Sequence, residues 1–157
     1  MTKQNEITTY RTNTSLTLSQ NSLALLKNEI KKYEECVGIT AVIQSKAPCF
    51  SFLAKQDPVK TKAMIRIMMI SFDKFIGVKN PLTEEHIEFI TNTILTNYKW
   101  LTLADLCYVL KEAKMGKYGN LYERLSPMQF FGWLDNYFEL RCATAAQISI
   151  REAEKYK

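Results

Sequence analysis

The chain is punctuated by helix starts and stops. The phrases DPVK at 57–60, NPLTEE at 80–85, TLAD at 102–105 and SPMQ at 126–129 each offer an Asp, Thr or Ser oxygen to the free amides of a first helical turn. Pro58 and Pro127 follow their caps directly, where a missing N–H costs nothing, and Asp105 and Gln129 stand in capping-box spacing to Thr102 and Ser126. Gly38, Gly77 and Gly116 stand where helices need to end. Between these marks the apolar residues recur at three and four. The pattern predicts an all-α fold of about five helices in a compact bundle or orthogonal array, with a long C-terminal helix.

Leu23, Leu26, Ile30, Tyr33 and Val37 make the stripe of the first expected helix, stopped by Gly38. Residues 39–56, with β-branched residues, a proline and no helical period, read as an extended connection holding a short strand. From Asp57 to Gly77, Ile65, Met68, Met69, Phe72, Phe75 and Ile76 share one arc, with Lys62, Arg66 and Asp73 opposite. This is the expected core helix, and its methionines read as fillers of irregular gaps. Ile87, Ile90, Ile94 and Tyr98 mark the third stripe; Leu103, Leu106, Cys107 and Leu110 mark the fourth. Phe130, Trp133, Leu134, Tyr137 and Phe138 mark the fifth, which continues to the end unless Ala143 to Ala146 hold a break. The division expected is a flexible N-terminal tail over 1–16 and a single helical domain over 17–157.

Composition limits the function classes. With 46% hydrophobic and 24% charged residues in 157, the chain has the makings of an ordinary packed domain. It opens without the apolar run of a signal peptide and contains no stretch of about 18 apolar residues, so a cytoplasmic protein without membrane contact is expected. Cys36, Cys49, Cys107 and Cys142 form no CxxC pair and read as reduced structural thiols. The net charge of +5 arises entirely before residue 81, where 12 Lys and Arg face 6 Asp and Glu; after it 9 face 10. A polyanion surface would draw on that first half.

Catalytic signatures are missing from the sequence. His86 is the sole histidine and sits in a first turn among Glu84, Glu85 and Glu88, which reads as a solvated surface residue and leaves no two-histidine metal site in one chain. GxSxG, a phosphate-binding P-loop and a dinucleotide fingerprint are absent. The expectation is a protein with no enzymatic activity, no metal and no cofactor.

The stretch KMGKYGNLYERLSP at 114–127 carries the richest local chemistry. Gly116 and Gly119 read most simply as turn residues between two helices, with Tyr118, Leu121, Tyr122 and Leu125 plugging the connection. The functional alternative sets Lys114, Lys117 and Arg124 around the rings of Tyr118 and Tyr122 to hold phosphates and stack on bases. Lys62 and Arg66, with Lys55 and Lys60 nearby, form a second candidate patch. Arg141 falls among the apolar residues of its helix, so it needs an internal carboxylate such as Asp105 or Glu123, or else a phosphate or acidic ligand.

Residues 101–141 resemble a block found in small helical proteins of bacterial phages and mobile elements: an LTL.D start, a K.GKYG..Y turn and a helix ending in Y...R. The resemblance implies that Gly116, Tyr118, Gly119, Tyr122 and Arg141 belong to one module, and that a nucleic-acid transaction such as replication is its setting. The expected function is therefore a non-catalytic accessory protein that binds DNA or a replication protein, in a helicase-loader-like manner. The alternative is a protein-interaction adaptor or structural phage component, which would use its apolar helix faces to form homo-oligomers or hold a partner helix.

Overall fold

The computed structural model describes residues 19–121 and 123–157; the expected tail over 1–16 lies outside the described residues. Among the described residues seven helices follow one another: α1 Gln20–Glu34, α2 Gly38–Gln44, α3 Phe50–Gln56, α4 Pro58–Ile76, α5 Glu84–Asn97, α6 Leu103–Lys114 and α7 Pro127–Glu154. None of them is long and apolar enough to cross a membrane.

The cap signals act as their chemistry requires. Asp57 accepts the Lys60 N–H at 3.0 Å to start α4, and Gly77 ends it at φ +64°. Thr102 with Asp105 and Ser126 with Gln129 close reciprocal capping boxes on α6 and α7. His86 does the same for α5: its Nδ1 accepts the Thr83 N–H at 3.3 Å, so this histidine is part of a helix start.

Residues 39–56 correct the sequence reading, because they form two helices of seven residues each and no strand among the described residues. Two turns are too few to display a period, and short helices are stabilised by what they bury rather than by propensity. Val42 and Phe50 supply that burial, and the Phe50 N–H donates to the Leu101 carbonyl at 2.9 Å beside an isolated Cys49–Thr102 bridge. Gly38, expected to stop α1, instead opens α2 at φ +83°, while α1 has already ended at Glu34 and Val37 is exposed.

Helix α4 runs through the middle, packed by α1, α3, α5 and α6, and α7 lies across α2, α5 and α6. A helix surrounded on most sides buries even its polar positions. Arg66 is 4% exposed and pairs with Glu84 of α5, and Asp73 accepts the Leu82 N–H at 2.9 Å to hold the α4–α5 link. Both had been expected on a solvated face. Conversely Phe75, expected in the core, is 64% exposed, and Phe138 is exposed as well. Met64, Met68 and Met69 are buried, and α7 passes Ala143–Ala146 without a break.

Two glycine substitutions check the backbone assignment. Gly77→Ala places a Cβ at a left-handed position and should lower the unfolding free energy by about 1 kcal/mol. Gly132→Ala fills open space on exposed helix and should raise it by roughly 0.5 to 1 kcal/mol. Urea unfolding midpoints should move in opposite directions; a shared direction would contradict the assigned conformations.

Candidate functional site

The KYG turn is built chiefly as a connector. At the end of α6 the Gly116 N–H (φ +79°) donates to the Ala113 carbonyl at 3.0 Å, and the Lys117 N–H donates to the Glu112 carbonyl at 3.1 Å. These two bonds make a Schellman stop, which needs glycine in the left-handed region. The Tyr118 ring stacks on Trp133 of α7, with centroids 5.3 Å apart and planes 16° from parallel. Burial, with Glu112 nearby, pushes its hydroxyl up to about 12. Leu125 is buried, and the Glu123 carbonyl accepts the Asn80 N–H at 2.7 Å, tying the connection to the α4–α5 link. Lys117 and Arg124 are exposed, Arg124 sharing an open depression with Glu123. Tyr122 lies outside the described residues.

Of the partners the sequence left open for Arg141, the structure supplies Asp105. Asp105 is wholly buried; its Oδ1 accepts from the Tyr137 hydroxyl at 2.6 Å and from Arg141 Nε at 2.8 Å. Its Oδ2 accepts from the Thr102 N–H at 3.0 Å and hydroxyl at 2.8 Å. Burial and the adjacent Asp105 charge push the Tyr137 hydroxyl far up, so it remains a donor. The cluster fastens α7 to the start of α6.

The second patch does not survive as a surface of two cations. Arg66 is desolvated, which lowers its pKa despite the opposing field of Glu88, and its Nε has no protein partner. With Lys62, Glu88, Thr91 and Asn92 it lines a cleft of about 10 Å³, room for a single water. Nor does α4 bring this patch to the turn: Lys114 Nζ sits 4.7 Å from the Phe75 ring centre, and Lys62 lies thirteen residues earlier, about 20 Å along the helix.

A different site emerges where α1, α4 and α6 meet. A groove of about 530 Å³ has Ile30, Ile67, Met68, Phe72, Cys107 and Leu110 along its floor, with Lys27, Lys31, Lys111 and Lys114 on its rim and one acid, Glu34. All four ammonium side chains are exposed. The Cys107 thiol is pushed up to about 12 by burial first and by Glu34 next, so it is a packing group and not a nucleophile. Of the expected site residues the groove contains Lys114 alone. The i, i+4 pair on α1 and the i, i+3 pair on α6 are each visible in the sequence, but nothing local joins residues eighty positions apart.

Among the described residues there is no group of three His, Cys, Asp or Glu side chains able to hold a metal ion. Comparison with known proteins produced no match, whether to a family model, a curated protein or a solved structure.

Replacing Arg141 by Ala should cost about 3 kcal/mol of stability, because the Asp105 charge would be left buried without its cation. Chemical denaturation measures this. An unchanged midpoint would mean that Arg141 is free for an external ligand.

Proposed function

We propose that the protein is a non-catalytic accessory factor that works by holding an anionic macromolecule on the lysine-rimmed face of α1 and α6. The observation that carries this reading is the groove: four exposed ammonium groups opposed by a single carboxylate, above an apolar floor. The resemblance of residues 101–141 to a phage and mobile-element block supports a nucleic-acid transaction as the setting, with DNA or a replication protein as the partner. Arg66 and Arg141 contribute to architecture through Glu84 and Asp105, which thins the cations of the DNA surface drawn from sequence to Lys114, Lys117 and Arg124 around the turn, with a half-buried Lys62 apart from them. DNA phosphates held on the KYG turn instead of the groove make the second reading, favoured by the exposure of those three cations within eleven residues of chain.

Polyanion binding tests the reading. Labelled single-stranded DNA, duplex DNA and poly-glutamate should each be retained at low salt, with log affinity falling as log salt rises. Joint replacement of Lys27 and Lys111 by Ala should weaken retention about ten-fold and flatten the slope by roughly one to two units. Failure to retain any of the three at low salt would overturn the proposal. A slope changed by Lys117→Ala and not by the groove pair would favour the second reading.

A further inference from the structure

From the same groove, and resting on the reading just given, we infer that the anionic partner is an acidic amphipathic helix of another protein. The two walls are themselves helices whose lysines form short rows, Lys27 and Lys31 on one side and Lys111 and Lys114 on the other. Each row covers about one helical turn, roughly 4.5 to 6 Å of rise, which matches carboxylates spaced at i and i+3 or i+4 along both flanks of a helix laid between them. A ligand with a single anionic head could engage only part of that rim. The floor between the rows is aliphatic and sulfur-bearing, and its one aromatic ring, Phe72, is fully packed, so it offers no platform on which a base could stack.

The same surface supplies an apolar anchor. Phe75 is exposed one turn beyond Ser71 of the groove on α4, and Lys114 of the rim lies across its face. An exposed phenylalanine with a lysine already covering its ring suits an aliphatic side chain with an adjacent carboxylate better than a nucleobase, which would have to displace the ammonium. The floor is shallow, since its side chains are nearly fully packed from below, so docking depends on Phe75 and the lysine methylenes as well as on charge. Residues 1–18 of the chain itself are poor occupants by charge: they carry Lys3 and Arg11 against Glu6.

The probe is a designed helical peptide with Leu at i, i+3, i+4 and i+7 and Glu elsewhere, followed by anisotropy on the full chain. Controls are a scrambled peptide of the same composition and a labelled single-stranded DNA. The amphipathic peptide is expected to bind at least ten-fold more tightly than the scrambled one. Phe75→Ala, at an exposed position, should weaken the amphipathic peptide at least five-fold and leave the scrambled one unchanged. Ser71→Trp, which fills the groove from an exposed position, should abolish the preference while circular dichroism and melting temperature stay near wild type.

Equal binding of the two peptides would overturn the helix inference and leave the anionic-partner reading standing. DNA bound more tightly than the amphipathic peptide, and displaced by Ser71→Trp, would also overturn it by making nucleic acid the occupant. A wild-type chain that runs as a dimer and becomes a monomer on Ser71→Trp would overturn it in favour of a second copy. Silence from both peptides and DNA at low salt would overturn both readings together.

Discussion

The carboxylate of Asp105 is the interaction on which the arrangement of the second half of the chain depends. It closes the capping box with Thr102, and so fixes where α6 begins. Through its other oxygen it receives Tyr137 and Arg141, one turn apart on α7, and so fixes how α7 crosses α6. A buried carboxylate with all four bonds satisfied and a guanidinium beside it is tolerable; with the guanidinium removed it becomes an uncompensated charge. Trp100, within 6.2 Å of Tyr137 and 6.0 Å of Arg141, seals the cluster from one side. With α6 and α7 so joined, the connection between them has to close, and stacking of Tyr118 on Trp133 closes it.

That dependence explains why a motif rich in cations and aromatics is mostly architecture. Gly116 and Gly119 answer to positive φ, Tyr118 to Trp133 and Arg141 to Asp105, which leaves Lys117 and Arg124 as cations turned to solvent outside these contacts. Lys114 belongs to two features at once, lying over Phe75 and rimming the groove. There α6 meets α4, which belongs to the cation-rich first half of the chain. The cationic excess of that first half, carried partly by Lys27 and Lys31 on α1, becomes meaningful once α6 sets Lys111 and Lys114 opposite it.

What could be read from the chain were the features whose physics is local. Asp57, Thr102 and Ser126 announce helices because a cap bond reaches only three residues, and Gly77 and Gly116 end them because φ is a property of one residue. That Arg141 needs an anionic partner was legible for a related reason, since a charge on an apolar stripe has few ways to be satisfied, although Asp105 was only one of the partners the sequence offered. Helices α2 and α3 were not, because Val42 and Phe50 hold them through distant contacts and two turns show no period. Arg66 and Asp73 misled because an outward face on a wheel means solvent only if no neighbour covers it, and α4 has neighbours nearly all round. The groove was hidden for the same reason: it exists only between elements whose pairing no local rule states.

The proposed working surface is the α1–α4–α6 groove and not the KYG turn. Methyl and amide NMR on a chain labelled at methionine methyls and backbone nitrogen, titrated with an anionic ligand such as the acidic peptide or single-stranded DNA, separates the two directly. The Met68 methyl and the amides around Lys27, Lys31 and Lys111 should shift progressively, while Lys117 and Gly119 stay within the spread of the remaining residues. Dominant shifts at Lys117 and Gly119 with Met68 unmoved would contradict the claim and return the turn to the role its lysines and tyrosines first advertised.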